Sequence, residues 1–245
     1  MDMILAVSIF VIAYIFIATE KISKVAIVLS GAAAMVLIGA TDADKAFYSH
    51  ETGIDWNVIF LLLGMMIIVG IIHKTGLFEY IAVGAIKKSQ GNPKTSLVYL
   101  MILTALASAI LDNVTTILLA VPMTLIITKH LQVSPIPFIL AEVFVSNIGG
   151  AATLVGDPPN IIIASKADIS FNAFLIHMAP LVLLVLAVII PFLVFFFRRE
   201  LINSPEARDL VMRLDARQFL KDLVLLRKSL LVLTLVMIAF VLHTA

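Results

Sequence analysis

Long apolar runs follow one another through this chain, and inside two of them stand polar, helix-breaking islands. The first is Leu111-Asp112-Asn113-Val114-Thr115-Thr116; the second is Ser146-Asn147-Ile148-Gly149-Gly150 with Gly156-Asp157-Pro158-Pro159-Asn160. Hydrocarbon cannot satisfy carboxylates or unpaired backbone groups. Such islands therefore cost several kcal/mol unless protein or a water-filled cavity surrounds them. A chain that carries them must fold so that its broken helices face inward.

Composition decides the medium. With 62% hydrophobic residues, 13% charged residues and a mean hydropathy of +1.13, the chain holds more apolar surface than one soluble core could hide. An all-α polytopic membrane protein is expected, with the lipid bilayer as its first partner. A net charge of +1 offers no basic face for nucleic acid. The chain has no cysteine, which excludes disulfides and thiolate metal sites. The first apolar run lacks a basic start and a small-residue cleavage pattern, so it reads as a retained span.

Residues 3–18, 22–40 and 56–72 each approach the roughly 20 residues that a crossing helix needs. The loop after the first carries Lys21 and Lys24, the loop after the second is acidic, and the third leads into His73, Lys74, Lys87, Lys88 and Lys94. Lys and Arg collect on the cytoplasmic side, which places the amino terminus outside. Over residues 76–89, Leu77, Phe78, Ile81, Ala82 and Ala85 share a stripe that ends in Lys87 and Lys88. This pattern fits a helix lying in the cytoplasmic interface, or a plain connecting helix.

The run over residues 95–129 is too long for one span: a continuous helix would measure about 50 Å against a core of about 30 Å. The break falls at Asp112-Asn113, two poor helix formers. Basic residues flank both ends (Lys94, then Lys129 and His130), which favours a re-entrant hairpin over two short crossings. Residues 136–165 read as a second broken helix, because Pro158-Pro159 cannot stand in a helix interior. Its first half should end near Asn147-Gly149-Gly150, and its second should begin near Asp157, which can cap it, with proline at the first helical position. A span over 171–198 ends in Arg198-Arg199. Residues 204–228 mix charge and apolar residues as an amphipathic cytoplasmic linker helix would, and 229–245 begin another span. Residues 1–203 thus form one membrane unit.

Chemically, a carboxylate at a hairpin tip in the membrane can bind a cation, carry a proton or pair with a base. Asp112 is such a group; it could also simply cap the following helix. Glu142 and Ser146 share one helix face with Asn147 at its end, and no Lys or Arg lies in that run, so Glu142 is a candidate proton carrier. Gly149 and Gly150 suit close helix packing as well as a functional turn. The candidate substrate- or ion-binding set is Asp112, Asn113, Thr115, Thr116, Glu142, Ser146, Asn147, Gly149, Gly150, Thr153, Asp157 and Asn160.

At these residues the sequence resembles the ion-transporter superfamily that includes arsenite and sodium–proton antiporters, P-protein-like permeases, citrate-transporter-like domains and divalent-anion/sodium symporters. The resemblance rests on Leu111 to Thr116, Glu142, Ser146 to Thr153 and Gly156 to Asn160. It implies two inverted repeats, each with an interfacial helix, a re-entrant hairpin and a broken helix, in a homodimer. This chain is similar to the first repeat, so a carboxy-terminal half or a partner chain would complete the site. In the symporter branch a Ser-Asn-Thr signature contacts a substrate carboxylate beside sodium. Ser146 and Asn147 match it, whereas Ile148 replaces the threonine and counts against a dicarboxylate. The same resemblance points to sodium at Asp112, Asn113, Ser146 and Asn147.

The expected function is secondary active transport of a small ion, such as arsenite, a carboxylate, or sodium in exchange for protons, with a sodium or proton gradient and no other cofactor. A passive anion channel or a non-transporting subunit is the alternative. An enzyme is not expected: the Gly-x-Gly-Asp motif fails at Leu154, and His-Glu-x-x-His spacing is absent. The expected location is the plasma (inner) membrane.

Overall fold

A computed structural model describes residues 2–49, 53–202 and 215–242. Among the described residues all regular structure is helical, and five helices are long and apolar enough to cross a membrane. The protein is a polytopic membrane protein. It divides into two compact units, residues 1–57 and 58–245.

In the first unit, α1 (Asp2–Thr19) is apolar all round, as a lipid-facing helix should be. It packs on α2 (Lys24–Leu37) through small side chains: a methyl group on Gly31 would touch Ala13 at an ordinary 3.7 Å. α2 is shorter than the expected 22–40, because Gly39 at φ +73° takes the chain out of the helix. Its 14 residues measure about 21 Å. A short α3 (Ala43–Tyr48) follows, capped by Asp42, whose Oδ1 accepts the Lys45 amide at 2.7 Å. That amide, with the Lys45 ammonium at 3.2 Å, holds the Asp42 carboxyl below the usual carboxylate range.

The second unit carries α4 (Trp56–Lys74) from Val58 onward, α5 (Leu77–Lys88), α6 (Pro93–Ile110), α7 (Asn113–Leu131), α8 (Ile136–Gly150), α9 (Pro158–Ala167), α10 (Phe171–Phe196) and α11 (Leu223–Leu242). Leu97, Leu100 and Met101 from the start of α6, Met123, Ile127 and Leu131 from the end of α7, and Phe138, Ala141 and Val145 of α8 share one buried core. So α6 and α7 fold back on each other, and α8 returns parallel to α6. The pairings Ala105 with Gly149 and Ala109 with Thr153 confirm the parallel register.

The hairpin helices are longer than the sequence pattern indicates. Asn92 caps α6 a turn early by accepting the Lys94 and Thr95 amides, and α7 continues to Leu131. At 18 and 19 residues they measure about 27 and 28 Å, so length alone would let each cross. α5 also turns a different face inward: Phe78, Ala82, Val83 and Ile86 are buried, whereas Ile81 is exposed. The α4–α5 turn needs glycine at Gly76 (φ +75°), where a Cβ would collide with the Phe219 carbonyl, and Lys221 donates its amide to Thr75 O at 3.0 Å.

Much of the expected linker helix over 204–228 lies outside the described residues. The rest differs from that expectation: Ala216–Phe219 is a 3-10 turn, and α11 starts at Leu223 rather than 229. Asp222 explains the early start, since its Oδ1 accepts the amides of Val224 and Leu225, both at 2.9 Å.

Candidate functional site at two helix breaks

Leu111 and Asp112 adopt extended backbone between α6 and α7. The Asp112 carboxylate caps α7 by accepting the Thr115 amide at 2.8 Å, and its carbonyl accepts the Thr116 amide. Of Thr115, it is the backbone that enters this bond. α8 ends at Gly150, and residues 151–157 form the second break. Asp157 occupies the cap position of α9, yet its side chain caps nothing.

The two breaks meet through side chains. Asn113 Nδ2 donates to Asn147 Oδ1 at 3.1 Å and to Asp157 Oδ2 at 3.4 Å. Ser146 Oγ donates to the Asn113 carbonyl at 3.0 Å, and Ser108 Oγ donates to the Ser146 carbonyl at 2.7 Å. Asn147 is exposed, whereas Asp112, Asn113 and Asp157 are half-buried, so the cluster opens to one side. Asp112 also lies near enough to Asp157 for their charges to interact.

The remaining candidates surround this cluster. Asn160 spends its amide hydrogens on the carbonyls of Gly150 (3.1 Å) and Thr153 (2.9 Å). Thr153 donates to Ala109 O and accepts the Gly156 amide at 3.1 Å. These two residues set the shape of the break. Gly149 lies against the Ala105 backbone, and Gly150 against Gly156. Glu142 stands apart, fully buried in the α6–α8 interior, with both carboxyl oxygens receiving the Thr124 hydroxyl at 2.8 and 2.9 Å. Thr116 is fully buried and its hydroxyl has no partner.

Two participants escape sequence reading: Ser108, which ties α6 to α8 at the break, and Thr124, the partner of Glu142. Four-residue spacing was the available signal, since Thr104 and Ser108, and Thr116, Thr124 and Thr128, recur along single faces. Ser108→Ala is expected to cost about 1–2 kcal/mol, because the buried Ser146 carbonyl loses its side-chain donor. Chemical unfolding in detergent would measure it.

Two carboxylates converge with carboxamide and hydroxyl oxygens at the ends of four helices. The α9 amino end is poorly equipped to hold an anion, because Pro158 and Pro159 remove two of its N–H donors, and the Asn160 amide already bonds Asp157 O. Among the described residues no three His, Asp or Glu side chains converge as a multivalent metal centre would require.

A family model described as citrate transporter matches residues 14–245. This chain belongs to the citrate transporter family. It is similar to a "46 kDa membrane protein" of Mycobacterium leprae (49% identity) and to an "uncharacterized transporter" of Mycobacterium tuberculosis (50%), each match covering 98% of this chain and 56% of the relative. It is also similar to the human P protein, at 38% identity over 78% of this chain and 24% of that protein. The chain thus spans little more than half the length of its mycobacterial relatives.

Proposed function

We propose that the protein is a secondary active transporter of a small ion, coupled to sodium or protons. The observation that carries this reading is the meeting of the hairpin tip with the α8–α9 break, through Asn113, Ser146, Asn147 and Asp157. Broken helices that meet inside a membrane protein present helix ends and unpaired oxygens to a small ion, as transporter binding sites do. Family membership supports the same reading.

In this proposal α5 lies in the cytoplasmic interface. α6 and α7 form a re-entrant hairpin because Lys94, Lys129 and His130 return both ends to one side, and the amino terminus faces outward. The chain supplies the first of two inverted repeats; a carboxy-terminal half or partner chain completes the site, and the whole assembles as a homodimer in the plasma membrane. The two carboxylates and the proline-stripped α9 amino end support sodium as the ion held at Asp112, Asn113, Ser146 and Asn147, with Asp157 adjoining. A carrier for arsenite or a carboxylate would bring its anion to the opposite side of the same opening. The proline pair weighs against a passive anion channel.

The test is flux by the purified protein in liposomes under imposed sodium, proton, arsenite, chloride and carboxylate gradients. Uphill accumulation of one solute, driven by another ion's gradient and lost in Asn113→Ala, is the expected result. Downhill flux alone would reject the transporter.

A further inference from the structure

A slot of about 570 Å³ runs between α6 and α10, closed at its back by the end of α8 and the break that follows. Small residues make it: Ala105 and Ala109 of α6, Gly149 and Ala152 at the break, and Ala179 and Ala187 of α10 stand where larger side chains would fill the space. It borders α10 from Leu175 to Pro191, about 24 Å of helix. A helix of that length and 10 Å across would occupy about 1,900 Å³, so the slot admits a single hydrocarbon chain and not a helix. The one hydroxyl in its wall, Thr153, is spent on the Ala109 carbonyl. Nothing along the slot calls for a polar ligand.

Its two ends differ. Leu97, Leu100 and Met101 of early α6 share a core with Leu193 and Phe197 of late α10, while Ile110 at the end of α6 shares a recess with Phe171 and Leu175 at the start of α10. The two helices are therefore antiparallel, and their basic termini lie at one end. Lys94 precedes Ala105, and Arg198 follows Ala187, by the same three helical turns, so each stands on the slot-facing side of its helix about 16 Å further out. Both are exposed, and among the described residues neither enters an ion pair. The Arg198 guanidinium lies 4.2 Å over the Phe195 ring, on the stripe that continues from Pro191. At the opposite end, around Thr153 and Leu175, the wall carries no charge. Charge at one end and hydrocarbon walls along the rest match an amphiphile with an anionic head.

We propose that the slot holds one acyl chain of an anionic glycerophospholipid, with the headgroup phosphate between Lys94 and Arg198 and the chain end resting on Ala152 and Thr153. The Arg198 fork suits phosphate oxygens, and the Lys94 ammonium adds a second charge. The surrounding lipid tails are as apolar as the slot, so hydrocarbon contact alone does not favour one lipid over another. Selectivity comes from the two cations, each worth about fivefold in affinity for an anionic lipid. The slot itself supplies position: three walls hold the chain against the apolar back of the break that also carries Asp157. The proposal stands apart from the transport reading and does not depend on it.

The test is photolabelling of the full chain in phosphatidylcholine liposomes, with a trace of phosphatidylglycerol that carries a diazirine at the end of one acyl chain, and mapping of the adducts by peptide mass spectrometry. Label is expected to concentrate on Ala152, Thr153 and the Leu175–Ala179 turn of α10. Excess unlabelled phosphatidylglycerol should displace it about 25-fold more effectively than excess phosphatidylcholine, and Lys94→Gln and Arg198→Gln should each reduce that preference about fivefold. Ala187→Trp, which fills the slot, should remove the label. Val188→Trp, on the adjoining face where Val188 is 65% exposed, should label as the parent does. Equal displacement by the two lipids, label spread evenly along the exposed faces of α10, or label that survives in Ala187→Trp would overturn the proposal. A slot that takes no label because a second copy or another protein segment covers it would overturn it as well.

Discussion

Gly149→Ala is expected to destabilise the protein strongly, by forcing α6 and α8 apart where their backbones touch. A Cβ at Gly149 would sit 2.7 Å from the Ala105 Cα and 2.8 Å from its carbonyl carbon, and closer still to that carbonyl oxygen. These neighbours are backbone in the middle of α6, so no side chain can swing aside. Overpacking typically costs about 1–3 kcal/mol, and a rigid collision of this kind belongs at or above the top of that range. The loss should appear as a lower unfolding midpoint in detergent, with α6 and α8 separating together. Gly84→Ala supplies the contrast: nothing lies within 4 Å of its Cβ, so α5 should gain up to about 1 kcal/mol from the better helix former. Equal stability of Gly149→Ala and the parent would mean that α6 and α8 do not touch along this line.

The same contact shows where sequence reading stops. Helix ends are local events: Asp112 caps through the amide three residues on, and Pro158-Pro159 can stand only at a helix start. The residues of both islands therefore announce chain breaks without knowledge of the fold. Which face of a helix meets which neighbour is not local. Gly149 suits packing or a turn equally well until Ala105 is placed against it, and the carbonyls of Gly150 and Thr153 that receive the Asn160 amide hydrogens come together only in the folded break. Thr124 and Ser108 carry no signal beyond four-residue spacing, because their partners come from α8, at a register that only packing sets. α5 makes the same point. Its apolar residues satisfy a lipid boundary and a protein boundary alike, and the buried face follows Ala82, Val83 and Ile86, which hydrophobicity could not single out.

Asp157→Asn is expected to remove most cation affinity while leaving the fold intact. The Asp157 side chain caps nothing on α9, and its one bond is the 3.4 Å contact from Asn113, so stability in the absence of salt should hardly change. Losing the negative charge that adjoins the bound cation costs about 1.5–3 kcal/mol, which is roughly a 10- to 100-fold weaker Kd. Sodium stabilises a folded protein in proportion to RT ln(1 + [Na]/Kd), so thermal unfolding in sodium chloride against choline chloride reads the change directly. The parent should be stabilised by sodium and Asp157→Asn should not. Asp112→Asn separates capping from charge, because asparagine caps a helix about as well as aspartate. Its α7 should stay intact, and any sodium effect it loses reports the carboxylate alone. Sodium stabilisation that survives in both variants would place the cation elsewhere. An anion that stabilises the parent but not a Pro159→Ala variant would overturn the reading of the α9 end, since that change restores an N–H and ought to improve anion binding there.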